Sequence, residues 1–299
     1  MTAPMRALGL VLTNATEHVE LPLPGMYPGV SMRDYQLWPA ASNSRLSLLR
    51  QSPAHLKAHL DEPTPDAAHF ATGRAFHSAV LEPDDFRSKY FAAPNGDRRT
   101  KAIKEQWEEL EARWGRGYVF KLDDYNEILS MRDSVYAHPA ARRLLTGAGL
   151  NEMSATWIDP ETGLECKARL DRYTGIDGGI IVDPKSCRDA SRDAFERSIY
   201  SYGYHRQAGQ YTTGAVACRL NVRHFVNIAV EKERPYAVAV YRMTEGAIEA
   251  GIAQLRPLIA RYKQCLDSGV WPGYSDRIED VAIPTYAWPQ IDNEIKESA

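Results

Sequence analysis

The pattern of apolar and polar positions changes twice along the 299-residue chain. Up to about residue 40 it has no period, and Pro22, Pro24, Pro28 and Pro39 punctuate it, so an irregular arm is expected. Helical spacing then takes over. Ser42, Asn43 and Ser44 offer capping oxygens to a helix carrying Leu46, Leu48 and Leu49; Pro53 interrupts it, and residues 54–60 continue as a further turn or two. After a break at Pro63 and Pro65, residues 67–81 read as a helix that ends before Pro83. Gly73 and His77 are four apart and share a face of that helix. Ile103, Trp107, Leu110 and Trp114 predict a helix over 100–114, and a similar pattern covers 123–136.

The period then falls to two. Residues 153–158, 165–173 and 179–185 read as strands joined by a turn at 160–163 and a loop at 175–179, which suggests a meander. Residues 191–220 are helical with a break around Gly203, 224–231 and 236–243 are two more strands, and 244–266 is an amphipathic helix kinked at Pro257. The fold class expected is α/β, a mixed central β-sheet flanked by helices, with a helical insertion over about 95–148. The chain divides into an arm (1–40), a single domain (41–270) and a tail (271–299) rich in aromatic residues and proline.

Composition narrows the class. Hydrophobic residues make up 44% and charged residues 25%, which is ordinary for a globular protein. A net charge of -3 argues against a generally basic nucleic-acid coat, although a local basic groove is compatible with it. Cys166, Cys187, Cys218 and Cys265 form no C-x-x-C pair, so reduced thiols are expected rather than zinc or an iron–sulfur cluster. No apolar run reaches the roughly 18 residues of a membrane span, and no signal peptide is recognisable. A soluble, cytoplasmic protein is expected.

The chemistry concentrates between Glu152 and Tyr211. Asp171 and Asp183 fall at the ends of successive strands, where two carboxylates can meet and hold a hard cation. Lys185 lies two residues after Asp183, on the same face of an extended strand, and could offset charge building on a phosphate. Taken singly, each is ordinary: Asp171 next to Arg172 could be a surface ion pair, and Asp183-Pro184 a turn. Pro184 removes a ladder donor and so favours an edge or a bulge. Gln207 and Tyr211 lie one helical turn apart, His77 is a structural histidine or a ligand, and Glu152 is a surface acid or a further ligand. Gly73 would let another backbone come close to the site. The basic cluster Arg98, Arg99, Lys101 and Lys104 is a solvated face or a phosphate contact.

Taken together, Gly73-Arg-Ala-Phe-His77, Asp171, Asp183-Pro-Lys185 and Gln207-Ala-Gly-Gln-Tyr211 resemble the motifs of the PD-(D/E)xK nuclease superfamily, in particular its RecB-like branch and the RecE-type exonuclease domain with its phage relatives. The stretches 152–157, 162–171 and 204–207 and the block 73–83 are similar as well, so the resemblance covers roughly residues 40–265. It implies a restriction-endonuclease-like core in which His77, Asp171 and Asp183, with Glu152 as a further candidate, hold Mg²⁺ (or Mn²⁺ in its place). Lys185 would be the catalytic lysine, and Gln207 and Tyr211 would support the site. The implied activity is digestion of linear double-stranded DNA from 5′ ends, leaving 3′ overhangs for recombination, by a ring-shaped homo-oligomer working with a single-strand annealing protein. Arg45, Arg50 and Arg74 are candidates for the terminal phosphate. A structure-specific or single-strand endonuclease, and a DNA-binding assembly protein without turnover, remain the alternatives.

Overall fold

The β-rich stretch becomes the centre of a six-stranded sheet. The computed structural model describes residues 20–62, 68–96 and 99–297, without the side chains of 68–70. The Pro63–Pro65 break, Arg98 and residues 1–19 of the arm lie outside the described residues. The strands are β1 (Gly25–Tyr27), β2 (Phe91–Ala92), β3 (Val119–Phe120), β4 (Gly149–Ile158), β5 (Glu165–Thr174), β6 (Ile180–Cys187), β7 (His224–Glu231) and β8 (Val238–Arg242). The main sheet has the order β1-β4-β5-β6-β7-β8, and β2 and β3 form a separate parallel pair. Within the main sheet only β6 and β7 run parallel; every other neighbouring pair is antiparallel. The sheet is therefore mixed, as expected.

The helices are α1 (Met32–Leu37), α2 (Asn43–Leu49), α3 (Pro53–Asp61), α4 (Ala68–Leu81), α5 (Pro83–Lys89), α6 (Lys101–Trp114), α7 (Leu122–Ala137), α8 (Pro139–Thr146), α9 (Arg192–Ser201), α10 (Tyr204–Ala217), α11 (Glu245–Ser268) and α12 (Trp288–Glu297). They bury both faces of the sheet. On one side Phe76 and Val80 of α4 and Ile128, Met131 and Val135 of α7 pack with Ile180, Val182, Val226 and Ile228. On the other, Leu46, Leu49, Leu56, Ala208 and Leu255 pack with Trp157, Leu170, Ile181 and Phe225. Alternation along β6 makes this possible: Ile180 and Val182 point one way and Ile181 the other.

Two helices went unread because a proline that ends one helix can open the next. Pro83 and Pro139 sit in the first turns of α5 and α8, where a missing N–H costs nothing. Conversely, α11 runs from Glu245 to Ser268 with Pro257 inside it. At the crossing of α10 and α11 the backbones touch, since a Cβ on Gly251 would lie 2.0 Å from the His205 carbonyl oxygen.

The described part of the arm is ordered. β1 adds to the edge of β4. The following carbonyls are taken by two basic side chains of the domain: Lys167 Nζ donates to Tyr35, Gln36 and Trp38 at 2.6, 3.2 and 2.7 Å, and Arg45 Nη1 donates to Trp38 and Ala40 at 2.9 and 2.7 Å. The tail stays attached as far as Tyr274, whose ring lies against His55, with Pro272 accepting from the Ala54 N–H. Beyond that point Ile278 and Val281 are exposed.

Candidate active site

The sheet forks where the aspartates sit. β5 and β6 pair at Thr174–Ile180, Tyr173–Ile181 and Arg172–Val182, and the pairing stops there. The next step of the same register sets Asp171 opposite Asp183. On its other side β6 stays paired with β7 as far as Cys187. Past Val182, then, β6 has lost one neighbour and is an edge on that side, which is how Pro184 is tolerated.

Three ligand-bearing side chains converge at the fork. One atom each from His77, Glu152 and Asp171 lie within 4.8 Å of one another, the one such group among the described residues. α4 delivers His77, whose Nδ1 is 3.4 Å from Asp171 Oδ2. Glu152 sits on β4 across from Asp171 with φ +52°, at a step where the β4–β5 ladder skips a pair. That irregular backbone turns its carboxylate inward, and Arg169 holds it there through Nε to Oε2 at 2.6 Å. Asp171 Oδ2 is buried and has no hydrogen-bond partner. Two carboxylates, an imidazole and an orphaned carboxylate oxygen fit a divalent cation, which would satisfy that oxygen and the crowded charge together.

Asp183 is fully buried and already engaged. Lys185 Nζ donates to its Oδ1 at 2.7 Å, and Asn227, its register partner on β7, donates to Oδ2 at 2.8 Å. Asp183 thus borders the trio of candidate ligands without belonging to it. The two carboxyl groups act on each other directly. Burial and the adjacent Asp183 charge hold Asp171 well above the usual carboxylate range. Burial also works against charge on Asp183, but the Lys185 ammonium and the Asp171 carboxyl outweigh it and bring its pKa down. Burial likewise opposes the Lys185 ammonium, but Asp183 and Asp171 win and its pKa rises. The same ammonium stands 5.0 Å over the Tyr204 ring. Burial and then Lys185 lower His77, leaving a neutral imidazole able to ligate.

α10 covers the fork. Gln207 Nε2 donates to the Tyr211 hydroxyl at 3.0 Å, and burial followed by the two aspartates raises the Tyr211 pKa well above its ordinary value. The expected residues Asp171, Asp183, Lys185, Gln207, Tyr211, His77 and Glu152 are thus brought together. One expectation needs correction. A Cβ at Gly73 would meet nothing within 4 Å, so this glycine serves no close packing in the fold. Arg45 gives three of its five guanidinium donors to the carbonyls of residues 36, 38 and 40. Lys101 and Lys104, read as a solvated face or a phosphate contact, face Glu105 and Glu108 of their own helix at 3.8 and 3.7 Å on an exposed surface, which agrees with the first of these. Arg50 is exposed, and Arg74 lies near Gly117, 3.2 Å from where a Cβ there would be. Sequence reading missed Asn227 and Arg169. The signal for Asn227 was a lone amide inside the apolar run of β7; Arg169 was marked only by lying two residues before Asp171 on the same strand.

Residues 42–282 match the family described as a PDDEXK-like domain of unknown function, DUF3799. The chain belongs to this family. The membership and the sheet agree with the restriction-endonuclease-like core of the PD-(D/E)xK superfamily. Among solved structures, a candidate exonuclease from Eubacterium rectale superposes with a TM-score of 0.55 at 13% identity, covering 82% of this chain and 91% of that one. A phage-related exonuclease from Haemophilus somnus 129PT, also 13% identical, covers 76% of this chain and 96% of that one, but its TM-score of 0.31 carries no argument about the fold. No curated protein matches the sequence. Asp171 on β5 and Asp183-Pro184-Lys185 on β6 both fall within the matched span. No helix among the described residues is long and apolar enough to cross a membrane.

Proposed function

We propose that the protein is a Mg²⁺-dependent deoxyribonuclease, with Mn²⁺ able to substitute, that degrades linear double-stranded DNA from its ends in the manner of RecE-type exonucleases. The observation that carries this reading is the packing of His77, Glu152 and Asp171 ligand atoms within 4.8 Å, beside a buried Asp183–Lys185 pair at 2.7 Å. A structural ion pair has no need of a third and fourth ligating group aimed at the same point.

In this reading His77, Glu152 and Asp171 would hold the cation. A bound divalent cation supplies polarisation of the phosphate and a lowered pKa for the attacking water. The remaining work falls to the chain. Lys185 keeps its charge at neutral pH and offsets negative charge developing on the phosphate, while Asp183, anchored by Asn227, fixes where that ammonium sits. Tyr211 keeps its hydroxyl proton and, with Gln207 donating to its oxygen, can direct that proton toward substrate oxygens. Attack from 5′ ends, 3′ overhangs, a ring-shaped assembly and an annealing partner belong to the same proposal and rest on the family resemblance.

The test is incubation of the purified protein with 5′-phosphorylated linear duplex and with a covalently closed circle, in Mg²⁺ and in chelator. Loss of the linear form alone, abolished by chelator and by Asp183→Ala, is expected. Cutting of the circle would make the enzyme an endonuclease. Absence of any metal-dependent loss, or equal loss with Asp183→Ala, would end the nuclease reading.

A further inference from the structure

The corner between α9 and α10 collects positive charge without a counter-ion. Arg206 is only 4% exposed, yet its sole side-chain partner is Gln254, reached from Nη1 at 3.2 Å, and its Nε has no partner. The formal charge acting on it is that of Arg50, a second cation at the end of α2. His205 packs into the same corner, its ring nitrogens 2.9 Å from Ile199 O and 3.0 Å from the Gln254 side-chain amide. A buried guanidinium next to another arginine costs stability unless an anion joins them.

The backbone at this corner has the same polarity. Gly203 caps α10 with φ +72°, a conformation suited to glycine, and a Cβ there would collide with the Arg206 guanidinium at 2.0 Å. The cation therefore lies directly on the N-terminus of a 14-residue helix, its positive end. The N–H groups of Tyr204 and His205 have no main-chain acceptor, and no side chain caps the helix. A guanidinium would not be expected at that end of a helix without a negative group to share, and oriented N–H groups beside an unpaired arginine nitrogen suit a phosphate.

Aromatic rings flank the same turn. Tyr200 and Tyr202 are 74% and 72% exposed, each with a ring stacked behind it: His205 behind Tyr200 at 6.3 Å and Tyr204 behind Tyr202 at 5.6 Å. Tyr204 carries Lys185 over its ring, so the aromatic run is continuous with the catalytic lysine. Exposed rings bordering a cationic pocket are the pattern that holds an unpaired nucleic-acid strand.

We propose that this corner grips the substrate strand beyond the scissile bond, with a backbone phosphodiester on Arg206 and Arg50 at the α10 N-terminus and unstacked bases against Tyr200 and Tyr202. The site rests on the nuclease reading, because its ligand is the DNA strand being cut. Its position on α10, which also carries Gln207 and Tyr211, would hold the strand while the next bond is presented to Lys185.

The test is fluorescence anisotropy of a short single-stranded DNA with the full chain in Ca²⁺, over a salt series, for wild type, Arg50→Gln, Tyr202→Ala, Arg206→Lys and Arg206→Gln. Arg50→Gln is expected to flatten the dependence of log affinity on log salt by about 0.7, the value of one lost phosphate contact on a single strand. Tyr202→Ala should weaken binding about 5-fold or more with the salt slope unchanged. Arg206→Lys should retain more affinity than Arg206→Gln. Arg50 and Tyr202 are exposed, so their variants report even where Arg206→Gln fails to fold. If wild type cuts DNA in Mg²⁺ while Arg50→Gln and Tyr202→Ala bind within about 2-fold of it at an unchanged slope, the grip is overturned and the nuclease reading stands. If wild type neither binds nor cuts DNA, both fall.

Discussion

Arg169 holds Glu152 with one nitrogen and reaches Val30 O at 2.6 Å and Ser154 Oγ at 3.2 Å with another, so the carboxylate meets His77 and Asp171 already oriented. Groups that orient a ligand are worth about 10–100-fold in metal affinity, and Arg169→Ala is expected to lose that much for Mn²⁺ by calorimetric titration. Lys167, on the same strand, reports through pH. Burial and then the charge of Arg45 pull its amine down to about 6. Between about pH 6 and the ordinary lysine value near 10.4, the unfolded chain binds a proton that the folded chain does not, so stability rises with pH in that window and levels off below it. The slope is at most about 1.4 kcal/mol per pH unit, and urea midpoints at pH 7 and 9 should show Lys167→Met to be flatter than wild type. Spacing exposed Asp171, Asp183 and Lys185 because an acid-x-lysine element is local in sequence. It hid Lys167 and Arg169, whose roles depend on carbonyls of residues 30–38 that come close only in the fold.

The crossing of α10 and α11 fixes where Gln207 and Tyr211 stand above the fork. Gly209 and Gly251 make it possible: a Cβ on either would press into the other helix's backbone, at 2.8 and 2.0 Å respectively. Gly251→Ala should therefore force the helices apart, cost on the order of 2 kcal/mol or more in urea unfolding, and lower activity by displacing Tyr211. Most elements were readable from period alone, since their apolar stripes face a large shared core: the meander β4-β5-β6, α4, α7 and α11 all lie where the pattern puts them. Short elements were not. β1, α1, α5 and α8 have 3, 6, 7 and 8 residues, too few for a period to show, and each is set by a cap, by a proline in its first turn or by pairing with a distant strand. Glu152 belongs with them, because its inward turn depends on a skipped pair in the ladder and not on its neighbours in sequence.

Across the whole molecule, the cation site and the fold are thermodynamically linked, because the candidate ligands come from α4, β4 and β5, which meet only when the chain is folded. Mn²⁺ at a hundred times its dissociation constant should add about 2.7 kcal/mol of stability, a rise on the order of 5–10 °C in melting temperature, and Asp171→Ala should abolish it. Scanning fluorimetry would read both. The family match begins at residue 42, yet cohesion reaches further back. Tyr35, Gln36, Trp38 and Ala40 supply the acceptors for Lys167 and Arg45, and Val30 supplies one for Arg169. A chain trimmed to start at residue 42 would expose the flank of β4 and strand an amine and two guanidinium groups in places water reaches poorly. Anyone shortening this protein for expression should keep the polypeptide from about Leu21 onward. The span that relatives share in sequence is smaller than the span that has to be made.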